Sequence, residues 1–503
     1  MPEFFADLNL DQLVESICAR RSEYHLQPFY YVALGDIAAI EYSQAIMRDL
    51  AKEPVRQAIE DFAQQMRTVR QYQAQAGKLH YKLQQQRWFV DGVALYCRSV
   101  LDLVKNLSSA EPVSAGLSAF REYIDAYAES EAFRRMQAET DQLVADLTTI
   151  IYCLRIDDTR WSRKNGVCIQ ILPYDQESDY SAEVQNIFAK FQQAAGQDYR
   201  VAFAEHADMN HVEAGILEQV ARMNHSVFER MAQCCENYEL FMDAKIGSFD
   251  REIQFYLAYM DLISPLKNNG FPFCQPQLVH KKDICNHGGF DLALALKLHK
   301  SGGRLVTNDF YLHDQERILV VTGPNQGGKT TFARAFGQMH YLASLGLPVP
   351  GKDAQLFMFD QIFTHFEKEE SITDLVGKLQ DDLKRMHAIL DKASPASIII
   401  LNEIFTSTTL QDAVFLSQRI MSQILQRDLL GVWVTFIDEL ASFSPATVSM
   451  SSTVVPENPA QRTYEILRQP ADGLSYALSL AEKYRLTYTA LRERIQNERF
   501  SDA

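Results

Sequence analysis

The run Thr322-Gly323-Pro324-Asn325-Gln326-Gly327-Gly328-Lys329-Thr330-Thr331 constrains this chain more than any other stretch of it. An apolar run, Ile318-Leu319-Val320-Val321, precedes it, and a helix-like segment, Phe332 to Leu342, follows. Strand, glycine loop and helix in that order, with the spacing G-x-x-x-x-G-K-[ST] met from Gly323 to Thr330, describe a P-loop. Glycines let backbone N–H groups turn inward around phosphate oxygens, and the start of the following helix adds the positive end of its dipole. Lys329 is placed to reach the β- and γ-phosphates of a nucleoside triphosphate, and the Thr330 hydroxyl to ligate Mg²⁺. A chance match in a Gly-rich turn would lack the correct flanks.

A P-loop needs a partner strand ending in polar groups. Ser397-Ile398-Ile399-Ile400-Leu401-Asn402-Glu403 supplies one. Such a strand normally ends in Asp, which holds the Mg²⁺ shell, followed by Glu, which orients or deprotonates the attacking water. Here the first position is Asn402, whose amide oxygen accepts a hydrogen bond but brings no negative charge. Glu403 is the candidate for activating water.

The rest of the chain reads as several domains. With 503 residues there is room for roughly two to four. Residues 1 to about 150 read as helices: Ile59, Phe62, Met66 and Val69 recur at helical spacing, and Gln57 to Leu95 carries no proline. Pro112 and Gly116 mark a break. Two β-rich runs, Ile150–Ile156 and Val167–Leu172, flank an Asn165-Gly166 turn signal and predict a hairpin. Its tip carries Arg160, Arg163 and Lys164. These three are candidate phosphate contacts, and a solvated turn accounts for them equally. The basic positions Arg67, Arg70, Lys78, Lys82 and Arg87 read as a wet helical face. Helix returns over 204–265, where Val212, Ile216, Val220, Met223, Val227 and Met231 form an apolar stripe at steps of three and four, followed by Ile253, Tyr256, Met260 and Ile263. Pro272 and Pro276 mark a boundary, beyond which β-rich runs alternate with helices as in an α/β nucleotide-binding domain. The sequence therefore predicts a mostly helical region over 1–275, with a small α/β insertion at about 145–200, and an α/β P-loop domain over 276–503.

Composition sets limits on partners and setting. A net charge of −16 argues against a surface coated for nucleic acid, though not against a local basic patch. The eight cysteines form no C-x-x-C pair and no zinc spacing, and adjacent Cys234 and Cys235 read as packing residues on a helix. Met1-Pro2-Glu3-Phe4-Phe5-Ala6-Asp7 lacks the basic start and apolar run of a signal peptide, and no uninterrupted apolar stretch is long enough to span a bilayer. A reduced, cytoplasmic setting is expected.

Five segments together resemble the MutS family. Thr322–Thr331 is similar to the MutS loop TGPNMGGKST. Asn402-Glu403-Ile404-Phe405-Thr406-Ser407-Thr408-Thr409-Leu410-Gln411-Asp412-Ala413 aligns without gaps to DEIGRGTSTYDG, retaining Glu403, Ile404, Thr408 and Asp412. Asp360-Gln361-Ile362-Phe363-Thr364 resembles D-R-I-F-T, and Asp472 to Ala481 resembles the segment around G-x-S-Y-G-x-x-x-A. Asp261-Leu262 through Pro276 is similar to the place where the MutS lever helix enters the ATPase domain. The resemblance covers about 255 to 490. It implies an ABC-type ATPase that works as a dimer, with ATP and Mg²⁺ held between two ATPase domains and helical levers leading to clamps around DNA. The homodimer and the DNA partner are implied in this way, as is a core, lever and clamp layout for the first half.

The sequence departs from the family at several places. The signature Ser aligns with Gly377 in Leu375-Val376-Gly377-Lys378-Leu379, and the switch His with Phe436 in Val434-Thr435-Phe436-Ile437-Asp438-Glu439-Leu440. With Asn402, three polar contributors to hydrolysis are altered, so ATP binding is expected with slow turnover; one such loss often costs roughly a hundredfold in rate. The Phe-x-Glu wedge of the mismatch-reading domain is not found near the N-terminus, nor is a nuclease-like extension found at the C-terminus. The expectation is a MutS-like, ATP-dependent DNA-binding protein of repair or recombination. The alternative is a nucleotide-gated switch with weak hydrolysis that grips a protein partner.

Overall fold

The computed structural model describes residues 1–157, 168–173, 209–367, 377–455, 458–471 and 486–492. It divides the chain into two compact units, one made of Met1–Arg48 with Arg251–Ala503 and the other of Asp49–Asp250. This differs from the boundary near 275 expected from the prolines. Residues 1–48 belong with the P-loop unit because their apolar side chains and carbonyls are spent on it. Leu8 is fully buried, and Phe4 and Phe5 pack edge-on against Tyr341, with ring centroids 5.4 and 5.1 Å away. Gln338 Nε2 donates to the Leu8 carbonyl (2.8 Å), Arg334 Nε to the Asp7 carbonyl (2.9 Å) and the Tyr341 hydroxyl to the Tyr30 carbonyl (2.8 Å).

The P-loop unit is built on a six-stranded sheet in the order Ile362–Phe366, Ile398–Asn402, Leu430–Val434, Ile318–Thr322, Thr447–Val455, Asn458–Arg468. The first five run parallel and the last is antiparallel to its neighbour. Parallel strands covered on both faces read as continuous apolar runs, and Ile318–Thr322, Ile398–Asn402 and Leu430–Val434 are buried at every position. The carboxyl ends of Ile318–Thr322 and Ile398–Asn402 therefore open on the same edge, where α/β sheets bind ligands. A second sheet of four strands runs in the order Gln277–Val279, Asp353–Phe357, Ile284–Gly289, Asn308–Leu312.

The helix after the loop spans Lys329–Ser344 and is buried almost throughout. Gly337 on it admits close approach: a Cβ there would lie 2.6 Å from Leu8 Cδ1 and 2.7 Å from Ile400 Cδ1. One side of the sheet is closed by a core that includes Ile318, Val320, Met386, Leu401, Ile404, Phe405, Met421 and Trp433.

The other unit is helical, as its periodicity predicts. Helices Glu53–Ala76, Lys82–Ala110, Ala115–Glu129 and Glu131–Thr148 follow one another. Ile59, Phe62, Met66 and Val69 are all buried. Strands Tyr152–Asp157 and Cys168–Pro173 pair antiparallel as the expected hairpin. Its tip, with Arg160, Arg163 and Lys164, lies outside the described residues, as does the segment Asp472 to Ala481 bar none of its positions.

Two sequence expectations are corrected here. The apolar stripe from Val212 to Met231 is not one buried ridge. Asn224 separates helix His211–Met223 from helix His225–Asn237, and Val212 and Met223 stay exposed while Val220 and Met231 are buried. The positions Arg67 to Arg87 are not simply a wet face, since Arg70 pairs with the buried carboxylate of Asp250. A buried charge needs such a partner. Cys234 is a buried packing residue in the cluster of Val90, Leu143 and Met231. Among the described residues no helix is long and apolar enough to cross a membrane.

Candidate nucleotide site

The loop Gly323 to Gly328 connects strand Ile318–Thr322 to helix Lys329–Ser344. Its shape needs left-handed backbone at Gly323 (φ 111°), Gln326 (φ 61°) and Gly328 (φ 93°), which explains two of the glycines. Gly327 is required for space instead, because a Cβ there would fall 2.1 Å from Ser452 Oγ. Ser452 Oγ donates to the Gly327 carbonyl at 2.8 Å. Pro324, Asn325 and Thr331 complete the run around these positions.

Lys329 is 4% exposed, and its ammonium donates to the carbonyls of Gly323 (2.7 Å) and Pro324 (3.4 Å) and to Asn325 Oδ1 (3.3 Å). Glu403 Oε1 lies 3.5 Å from the same nitrogen. Burial pushes the Lys329 pKa down; the Glu403 and Asp438 carboxylates oppose that, and the Arg462 charge adds to it. Thr330 Oγ1 donates to Asn402 Oδ1 at 2.8 Å. The fold thus brings together Lys329, Thr330, Asn402 and Glu403, which the sequence had paired only by pattern. A hydroxyl, an amide oxygen and a nearby carboxylate are hard oxygen donors and fit Mg²⁺, which holds few protein ligands and keeps several of its waters.

Glu403 sits on a strained turn. Glu403 (φ 51°) and Phe405 (φ 63°) both adopt left-handed backbone, which is uncommon for non-glycine residues and a clear outlier for a bulky one. Ile404 and Phe405 are buried in the core beside the sheet. The Glu403 N–H donates to the Val434 carbonyl at 2.9 Å.

Other groups around the loop were not legible in the pattern. Besides Ser452, Arg462 Nε donates to the Asn325 carbonyl at 3.1 Å, from strand Asn458–Arg468. That strand also places Tyr464 backbone atoms 3.7 Å from where a Gly328 Cβ would lie. Motif spacing carries no trace of these contacts, because they come from strands far along the chain.

The departures from the usual pattern are visible as well. Gly377 stands at the start of helix Lys378–Lys392, in ordinary extended backbone, and a Cβ on it would meet nothing within 4 Å. Lys378 pairs with Glu367. Phe436 is 45% exposed, one residue beyond Thr435, whose N–H donates to the Val321 carbonyl at 3.0 Å.

Residues 319–492 match the family model for MutS domain V. The chain is 28% identical over 189 residues to the endonuclease MutS2 of Thermus thermophilus, covering 37% of this chain and 25% of that protein. It is 32% identical over 178 residues to the endonuclease MutS2 of Thermomicrobium roseum, covering 35% and 22%. It is 25% identical over 229 residues to the DNA mismatch repair protein MutS of a Thermotoga species, covering 45% and 28%. The matched part spans about a quarter of the length of these relatives.

Proposed function

Because its C-terminal part makes this chain a MutS family member, we propose that it is an ABC-type ATPase of DNA repair or recombination, in which ATP binding closes a homodimer on DNA. The observation that carries the reading is the convergence of Thr330 on Asn402 and of Lys329 on Glu403 at one edge of the sheet. The backbone N–H groups of Gly323 to Thr331 would cradle the triphosphate, and Lys329 would exchange its loop carbonyls for phosphate oxygens. Thr330 and Asn402 would hold Mg²⁺, which when bound supplies positive charge at the phosphate oxygens. Glu403 would orient the attacking water and accept its proton. With Asn402, Gly377 and Phe436 in place of an acid, a Ser and a His, turnover is slow while affinity for ATP persists.

On the DNA side, Arg160, Arg163 and Lys164 would contact phosphates from the hairpin tip. Only a local contact is consistent with a net charge of −16.

Calorimetry with ATP and Mg²⁺ tests the first half. The protein takes up nucleotide, Lys329→Ala does not, and Glu403→Ala retains bound ATP without turnover; unaltered turnover in Glu403→Ala would remove that residue from the water-activating role. Binding to duplex, mismatched and branched DNA, at two salt concentrations with and without ATP, tests the second. A clamp that contacts phosphates loses affinity steeply with salt. Nucleotide uptake with no DNA binding at low salt would favour the alternative that the acidic balance suggests, a nucleotide-gated switch gripping a protein partner.

A further inference from the structure

Beside the Glu403 turn lies a buried pair that the nucleotide chemistry leaves unused. His365, fully buried on strand Ile362–Phe366, sits beside Asp382 on helix Lys378–Lys392, with Nε2 2.8 Å from Asp382 Oδ1. A carboxylate oxygen accepts, so the imidazole donates from Nε2. Its Nδ1 meets no hydrogen-bond partner among the described residues, and a lone pair left there costs less than an unpaired N–H. The second oxygen, Asp382 Oδ2, accepts the backbone N–H of Phe405 at 3.2 Å.

The position of that N–H is informative. Phe405 holds φ 63°, in the left-handed region that favours glycine. A bulky residue in that region is strained and persists only when its surroundings over-determine it. Two things do so here: the ring is fully buried in the core, and the amide is held by Asp382. Two residues earlier, Glu403 is left-handed too and lies 3.5 Å from the P-loop lysine. A parallel tie runs outside the pair, where Thr406 Oγ1 donates to Glu367 Oε1 at 2.9 Å and Lys378 pairs with the same carboxylate.

We infer that Asp382, oriented by His365, is a positioning residue for hydrolysis: it latches the strained turn 403–405 and thereby aims Glu403 at the phosphate end of the site. The inference rests on the reading of this site as an ATPase. Asp382 touches no substrate; it acts through the Phe405 amide. A misplacement of about 1 Å in a catalytic group can cost roughly a hundredfold in rate, so a modest slackening of this turn is enough to be read kinetically.

The test compares the full chain with Asp382→Asn and Asp382→Glu. Asparagine offers one acceptor oxygen where two donors point, whereas glutamate keeps both. Single-turnover ATP hydrolysis should fall roughly ten- to a hundredfold in Asp382→Asn and recover in part in Asp382→Glu. The ATP dissociation constant should stay within about twofold, since the P-loop is untouched. Backbone hydrogen exchange should quicken over residues 403–409 in Asp382→Asn and remain as before in strand Ile318–Thr322. Unchanged exchange over 403–409 overturns the latch whatever the turnover. Faster exchange throughout the unit, or faster local exchange with undiminished hydrolysis, overturns the positioning role. A wild-type chain that takes up no ATP overturns the ATPase reading, while the exchange experiment still decides the latch; one that binds ATP without turnover overturns the catalytic half of both.

Discussion

Asn402 is the residue at which the sequence departs most consequentially from what its surroundings ask for. The position receives the Thr330 hydroxyl at 2.8 Å, is only 8% exposed, and lies next to Glu403 at the end of a fully buried strand. An aspartate there would bring a negative charge to the proposed Mg²⁺ site; the amide brings an oxygen of the same reach without it. Asn402→Asp is therefore expected to shift the Mg²⁺ dependence of ATP binding to lower metal concentration, measured by titrating Mg²⁺ at fixed nucleotide. An unchanged titration would place this side chain away from the ion. The residue types at 329, 330, 402 and 403 were readable because their chemistry is local to two short motifs. Ser452 and Arg462 were not, because what recruits them is proximity to the Gly327 and Asn325 carbonyls.

The element that organises the site is helix Lys329–Ser344, and its burial has a cost that pH exposes. His340 is completely buried, with its ring 4.3 Å from that of Phe336 and Nδ1 donating to the Phe336 carbonyl at 2.8 Å. Burial pushes its pKa down from 6.5 to about 4, with the hydrogen bond to Phe336 opposing. The folded pKa is thus the lower one, so the unfolded chain binds a proton between these values that the folded chain refuses. Stability supplied by the neutral ring is complete above about pH 6.5 and is lost as pH falls towards 4, by about 3 kcal/mol over the window. Denaturant unfolding from pH 7 to pH 4 should show the wild-type chain losing about that much more than His340→Gln; parallel curves would mean that the ring protonates in place. Element types were legible wherever periodicity was strong, as in helix Glu53–Ala76. Helix is also what stands between Val212 and Met231, but spacing alone does not reveal the break at Asn224.

At the scale of the whole molecule, the first 48 residues are part of the P-loop unit. Leu8 packs against the loop helix at Gly337, and Thr364 Oγ1 donates to Asp7 Oδ2 at 2.6 Å. Leu8→Ala should accordingly destabilise the P-loop unit by about 2–5 kcal/mol, the range for emptying a buried leucine site. ATP uptake followed across a denaturant titration reads this directly. A shift below about 0.5 kcal/mol would show the N-terminal segment to be a passive attachment.

The sequence by itself determined the P-loop, the strand that ends in Asn402 and Glu403, the helical character of the first half and the resemblance to MutS over the C-terminal part, because each is carried by neighbours in the chain whose spacing is dictated by phosphate geometry or by the helical and strand periods. Only the tertiary structure decided which distant groups complete the site and where one unit ends. The left-handed turn at Glu403 and Phe405, the His365–Asp382 pair beside it and the wrapping of residues 1–48 onto the loop helix are set by packing between different elements, across 17 and 23 residues at the pair and the turn and more than 300 at the N-terminal segment. Burial and hydrogen-bond satisfaction act across space, and no local pattern records them.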